Sequence, residues 1–330
     1  MRIAVYKDNL STGRGADRAV RNFAEGLNER GIEAVLFEKA ELRDRLAEKW
    51  DAVVATGSNE IVDLDRLGYF GRTDAAHVVL QLHLAPRGFF KWRHPLRNLR
   101  IRRAFDKARA VQVLCSDYVE EFRRLAPHPQ VRVIGNYTEM PPVAEGDDRR
   151  EAIILYPAAA LNAVKNQKLL IRAFAMVAGE YPAWRLRLLG KDTTGYAREC
   201  RCLAKKLGVE ERVDFVGFTH DLDGEYARAA FVAFPSTLEG FPLAVLEAAR
   251  HRLACVAHRD LPGIGDIVTR DTGIVTAATA GEYAAGLGRL MADEALRRRL
   301  GEGAARRNSE VYGKDRIMGE WVDFLSSICA

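Results

Sequence analysis

The sequence predicts an α/β protein made of two Rossmann-like, doubly wound domains. Three observations carry this. The chain has 330 residues, more than one typical core holds. Short apolar runs alternate with longer amphipathic stretches, the spacing of strands and helices in parallel sheets. This pattern stops in a polar, breaker-rich segment containing Pro141, Pro142 and Gly146, then starts again.

In the first half, strands are expected over 3–6, 34–37, 52–55, 77–82 and 110–114. A helix is expected over 16–29, because Val20, Phe23, Ala24 and Leu27 fall on one face. In the second half the strands are 153–156, 185–189, 213–216, 231–234 and 254–257, with helices over 168–178, 196–207 and 282–290. The expected organisation is a first domain at 1–140, a linker at 141–150 and a second domain at 151–311. Residues 312–330 follow as a last helix, with Ile317, Met318, Trp321, Val322 and Phe324 supplying more apolar surface than a lone tail needs.

Composition narrows the function classes. Apolar residues make up 48% of the chain, which suits packed cores and argues against disorder. The net charge is +5, a mild excess that matters only where it clusters. No apolar stretch reaches the roughly 18 residues of a membrane span, and the chain enters a strand at once, so a cleaved leader is not expected. Cys115, Cys200, Cys202, Cys255 and Cys329 are odd in number and lack framework spacing, which fits a reducing cytosol. Cys200 and Cys202 are too close for a zinc pair and are expected to be structural thiols. Gly13 and Gly15 lack the third glycine of a dinucleotide fingerprint, which argues against a dehydrogenase.

The most informative stretch runs from Glu239 to Glu247, two carboxylates with seven residues between them. An apolar strand ends before it at Pro235 and Ser236, and helix formers follow it from Ala244 to Arg250. A strand, a short loop and a helix start leave backbone N–H groups and positive dipole free for an anion. With the helix beginning near Leu243, Glu239 stands in the loop and Glu247 about one turn inside. Gly240 lets backbone approach a ligand. A diphosphate flanked by hydroxyl-rich groups suits such a place.

These residues give the chain its resemblance to a known family. Pro235 and Ser236, then Glu239, Gly240, Phe241 and Glu247, resemble the E-x7-E signature of the retaining nucleotide-sugar glycosyltransferases of family 4, which have the GT-B fold. Asn162, Lys165, Asn166 and Gln167 are similar to that family's lysine loop. Val213, Phe215 and Gly217 resemble its V-x-F-x-G strand, Val133 to Asn136 the segment closing its first domain, and Arg14, Gly15, Asp17 and Arg18 its N-terminal glycine-rich loop. The resemblance covers nearly the whole chain.

It implies transfer of a sugar from a nucleoside diphosphate to a hydroxyl, in a cleft between the two domains, with the last helix crossing back onto the first. Lys165 would meet the charge growing on the leaving diphosphate, helped by the N–H groups near Leu243 and Ala244. Pro242 has no N–H to offer. Glu247 would accept the ribose hydroxyls, and Glu239 would hold those of the sugar. Gly190, Gly217 and Phe218 would frame the base. The donor would be linked to UDP or GDP, with no further cofactor and no metal.

One position departs from the family. Ala160 stands where an arginine is usual, five residues before Lys165. Arg14, between Gly13 and Gly15, either supplies the missing charge or is solvated. His83 follows a strand end, where it either orients the sugar or acceptor or is a hydrogen-bonded structural histidine.

The basic excess is concentrated in residues 87–109, with nine Lys or Arg and one acid. Arg87, Lys91, Arg93, Arg97, Arg100 and Arg103 interleave there with Phe89, Phe90 and Trp92. Such a mixture suits an anionic bilayer or a charged acceptor. The alternative is a helix whose Leu96, Leu99 and Phe105 pack inward while its arginines are solvated. No nucleic-acid motif accompanies the charge.

The expected protein is a cytoplasmic transferase, peripheral on the inner face of the membrane, acting on a lipid-linked or lipopolysaccharide-type glycan. A nucleotide-sugar epimerase of the same fold and a catalytically weak sugar-nucleotide-binding subunit are the alternatives.

Overall fold

Runs such as Ala52–Ala55 and Phe231–Phe234 are buried at every residue. They have no polar face because helices cover both sides of a parallel sheet. The computed structural model describes residues 1–10, 15–90, 94–128, 130–138 and 150–330. The expected linker at 141–150 therefore lies outside the described residues, apart from Arg150. The chain divides into two units, Met1–Tyr137 with Gly313–Ala330, and Thr138–Tyr312.

The first unit runs β1 (Arg2–Tyr6), α1 (Gly15–Asn28), β2 (Glu33–Phe37), α2 (Leu42–Arg45), β3 (Ala52–Ala55), α3 (Ser58–Arg66), β4 (His77–Gln81), α4 (Pro95–Phe105), β5 (Ala110–Val113), α5 (Asp117–Leu125) and β6 (Val131–Val133). Its strands pair in parallel in the order β2-β1-β3-β4-β5-β6. The order reverses between β1 and β3. In such sheets a crevice opens beyond the carboxyl ends of the two strands at the reversal.

The second unit runs β7 (Ile153–Ala160), α6 (Gln167–Val177), β8 (Arg185–Lys191), α7 (Tyr196–Lys206), β9 (Val213–Gly217), α8 (Leu222–Arg228), β10 (Phe231–Phe234), α9 (Leu243–Arg250), β11 (Cys255–His258), α10 (Ile264–Ile267), β12 (Gly273–Thr276), α11 (Ala280–Ala292) and α12 (Glu294–Tyr312). The strand order is β12-β11-β10-β7-β8-β9. This is the dinucleotide-type order, with its reversal between β7 and β10.

The last helix, α13 (Lys314–Cys329), belongs to the first unit. Trp321 lies 4.6 Å from Phe23 of α1, ring centre to ring centre. Arg30 pairs with Asp315 at 2.6 Å and Lys314 with Glu29 at 2.8 Å, fixing the start of α13 along α1.

Several elements were not anticipated. β6 is a short edge strand with one arginine between two valines, and β12 extends the second sheet beyond β11. Most of α12 escaped because Gly301 and Gly303 interrupt its helical pattern. Their reason is contact: a Cβ at Gly301 would overlap the Arg252 carbonyl oxygen, and one at Gly303 that of Asp271. β7 runs on to Ala160, across an irregularity in its pairing with β8. Of the two neighbouring thiols expected to be structural, Cys200 is buried but Cys202 is exposed on α7.

Candidate functional site

In the second unit the loops after β7 and β10 lie at the strand reversal, and each brings one charged residue there. After β7 the chain makes a single tight turn, Ala163–Lys165, capped by the Asn162 side chain, which accepts the Lys165 backbone N–H at 3.1 Å. After β10, buried Pro235 and Ser236 stop the strand and the loop carries Glu239. The Lys165 Nζ stands 2.5 Å from Glu239 Oε1, with 21% and 13% of the two side chains exposed. The ion pair is therefore covered on most sides yet open to a ligand.

Helix α9 begins at Leu243. Pro242 at φ −79° and ψ 71° forms an inverse γ-turn, in which the Leu243 N–H donates to the Phe241 carbonyl at 2.9 Å. This corrects the expectation that the Leu243 amide is free for an anion; proline's fixed φ makes the turn that occupies it. Phe241 packs against Tyr312 at 5.7 Å between ring centres. Gly240 and Ala244 are partly exposed beside it.

Glu247 is buried on the inner face of α9. Its Oε2 accepts the Tyr226 hydroxyl at 3.0 Å, and the same hydroxyl reaches the Ala244 carbonyl at 3.1 Å. Tyr226 on α8 thus fixes both the carboxylate and the first turn of α9.

At the ends of β8 and β9 stand Gly190 at φ 127° and Gly217 at φ 81°, backbone that favours glycine. A Cβ on Gly190 would lie 2.8 Å from the Ala158 carbonyl oxygen, so β7 and β8 can approach there only through glycine. Phe218 follows, 55% exposed, with the Lys191 ammonium 4.5 Å above its ring. An exposed aromatic face of this kind suits a planar base.

The structure brings Lys165, Glu239, Gly240, Phe241, Leu243, Ala244, Glu247, Gly190, Gly217 and Phe218 into the second unit. Gly15 and His83 lie in the first. Gly13 and Arg14 fall outside the described residues. Both His83 ring nitrogens are sealed from solvent without a hydrogen-bond partner among the described residues. Burial, then the nearby Lys7 charge, push the imidazole down to about 3, against an opposing pull from Asp17. His83 is therefore neutral near pH 7.

Sequence reasoning missed the charged cluster after β1 and β3. Lys7 Nζ lies 2.5 Å from Glu60 Oε1 and 2.7 Å from Asp8 Oδ1, and Asn59 donates to Asp8 at 3.1 Å. Burial pushes the Asp8 carboxyl up, but hydrogen bonds from Lys7 and Asn59 outweigh it and hold it at about 2. Only the strand order, invisible in sequence, brings these residues together.

The basic segment differs from its expectation. Phe89, expected to be exposed, is 8% exposed and packs edge-on against Phe105; Phe90 also meets Phe105, at 6.0 Å. Arg97 turns back to donate to the Phe89 carbonyl at 2.6 Å. Lys91, Trp92 and Arg93 lie outside the described residues. Helix α4 buries Ile101, Ala104 and Phe105, whereas Leu96 and Leu99 are 80% and 46% exposed. Positions 96, 99, 100 and 103 share one helical face, so Arg100 and Arg103 flank two outward leucines. Among the described residues, no helix is long and apolar enough to cross a membrane.

Comparison with known proteins agrees with this architecture. Residues 143–307 match the model of the family described as glycosyl transferases group 1, and the chain belongs to that family. It is 33% identical over 161 residues to the exopolysaccharide phosphotransferase SCO2592 of Streptomyces coelicolor, covering 48% of this chain and 17% of that protein. It is 32% identical over 150 residues to the lipopolysaccharide core biosynthesis mannosyltransferase LpcC of Rhizobium leguminosarum, covering 43% of each. The matched region thus spans less than half the length of either relative. Anabaena HepE, solved in complex with UDP, superposes with a TM-score of 0.83 at 19% identity over 99% of this chain and 100% of that one. The two six-stranded parallel sheets with their helices are the GT-B fold.

Proposed function

We propose that this chain is a retaining glycosyltransferase that moves a sugar from a nucleoside diphosphate to a hydroxyl of a lipid-linked or lipopolysaccharide-type glycan. The carrying observation is the Lys165–Glu239 pair at the strand reversal of the second sheet, beside the start of α9. A nucleoside diphosphate placed there separates the pair. Lys165 takes the charge that grows on the leaving phosphate, and Glu239 turns to the sugar hydroxyls. Glu247, held by Tyr226, accepts the ribose hydroxyls, and the base lies on Phe218. The leaving-group charge is met by Lys165 and the dipole of α9, so turnover needs no metal on this reading.

Relatives named for exopolysaccharide and lipopolysaccharide core synthesis support an envelope glycan as acceptor. The outward face of α4 supports a place on the inner membrane surface, with Leu96 and Leu99 entering the bilayer boundary and Arg100 and Arg103 meeting anionic headgroups.

Thermal unfolding in the presence of UDP, GDP, ADP or CMP tests the donor site. A matching nucleotide at 100 times its dissociation constant stabilises by about 2.7 kcal/mol. The corresponding nucleotide sugar is then incubated with the protein, with and without EDTA, and nucleotide release is followed. No stabilisation by any of the four would refute the donor site.

A further inference from the structure

We propose that Tyr156 is a positioning residue that sets the Lys165 turn, and through it the cation of the donor site. The inference rests on the reading of Lys165 given above and adds a residue that does not itself touch substrate.

The turn Ala163–Lys165 has no buried residue, and Val164 is exposed. Apolar packing therefore contributes little to its position, and polar links must hold it. Tyr156, on β7, is fully buried and meets the Phe234 ring edge-on at 5.8 Å. Its hydroxyl donates to the Lys165 carbonyl at 2.9 Å and lies 2.7 Å from Ser236 Oγ. A phenol has one proton, and that proton goes to Lys165. Ser236 must therefore be the donor in the second contact, giving a directed chain from Ser236 through Tyr156 to the Lys165 carbonyl. Beside it, the backbone N–H and the hydroxyl of Thr237 both donate to the Val164 carbonyl, at 2.9 and 3.1 Å.

These bonds tie the loop after β7 to the loop after β10 across the strand reversal. They act on the backbone of Lys165, while its Nζ reaches Glu239 from the same two loops. Without the Tyr156 hydroxyl, the Lys165 carbonyl and the Ser236 hydroxyl both lose a buried partner, and the Thr237 bonds then hold the turn at Val164 but not at Lys165. Lys165 keeps its charge but no longer has a fixed place for it, and a displacement of this kind is costly where a charge must meet a developing charge.

The test is a double-mutant cycle on nucleotide affinity, read by calorimetry with UDP and with GDP. Lys165→Ala is expected to weaken the tighter of the two about tenfold, and Tyr156→Phe about fivefold, with the enzyme still folded by its thermal transition. In the Lys165→Ala background, Tyr156→Phe is expected to change affinity less than about twofold, because its effect runs through the lysine. Equal losses in both backgrounds would make Tyr156 a structural residue and overturn the proposal, as would wild-type affinity in Tyr156→Phe. Ser236→Ala removes only the donor to Tyr156, and gives the same non-additive pattern at smaller amplitude; it decides the question if Tyr156→Phe does not fold. Wild-type affinity in Lys165→Ala is a different result: it would remove the donor-site role of Lys165, and this proposal with it.

Discussion

Lys7 stands 2.5 Å from Glu60 at the strand reversal of the first sheet, the same separation and place that Lys165 and Glu239 have in the second. The two pairs differ in cover. Glu60 is 3% exposed at its side chain against 13% for Glu239, and its carboxyl is pushed up by burial despite Lys7. Lys7→Met is expected to destabilise the first unit by about 3 kcal/mol, because it strands a buried carboxylate. Lys165→Met leaves Glu239 more open to water and costs the second unit less, by about 1 kcal/mol. Urea unfolding of both variants, followed by fluorescence, checks the order.

Glu247→Ala is expected to weaken nucleoside diphosphate binding by about 1.5–3 kcal/mol, the cost of removing a charged hydrogen-bond partner. Glu247→Gln keeps an acceptor for Tyr226 and recovers part of the loss. Calorimetry with UDP and GDP measures both, and full affinity in the alanine variant would remove Glu247 from the site.

Acid should weaken the first unit through His83. The folded imidazole titrates at about 3 and the unfolded one near 6.5, so the unfolded state binds the extra proton between those values. The stability tied to the neutral ring is complete above pH 6.5 and is lost as pH falls toward 3. The slope from this one group is about 1.4 kcal/mol per pH unit at most. His83→Asn cannot titrate and should flatten the wild-type slope between pH 6 and 4. Urea midpoints at several pH values decide it; parallel curves would mean that Lys7 and burial do not hold the ring neutral.

Two double variants separate the parts of the α4 surface. Arg100→Gln with Arg103→Gln should reduce binding to phosphatidylglycerol vesicles about tenfold or more at low salt, since each cation near such a surface contributes about 1 kcal/mol. Leu96→Ser with Leu99→Ser should remove the part of the binding that salt leaves intact. Neither change should alter UDP or GDP affinity. Wild-type protein that fails to sediment with these vesicles at low salt would leave α4 a solvated helix.

Much of the frame was legible because buried strands announce themselves. The expected strands at 52–55 and 231–234 coincide with β3 and β10. The start of α9 at Leu243 could be read from the proline before it and the helix formers after it. The face of α4 could not, since periodicity marks a stripe without saying which stripe is covered. Phe89, Ile101, Ala104 and Phe105 take the core position there, which leaves Leu96 and Leu99 outside. The Lys7–Glu60 pair and the Tyr156 link were unreadable for another reason: they depend on which strands are neighbours, and strand order leaves no local mark. The γ-turn at Pro242 was half visible, because proline's missing N–H is plain in sequence while its effect on the next N–H is geometric.

The membership of α13 in the first unit also sets an order of folding during synthesis. Thr138–Tyr312 is one continuous piece and can close as soon as it leaves the ribosome. Met1–Tyr137 emerges earlier but must wait for Ile317, Met318 and Trp321 to cover α1. At about 5–20 residues per second, the wait is roughly 10–40 s. Over that time Phe23 lacks its aromatic partner Trp321, and the nascent chain carries an open apolar seam along α1.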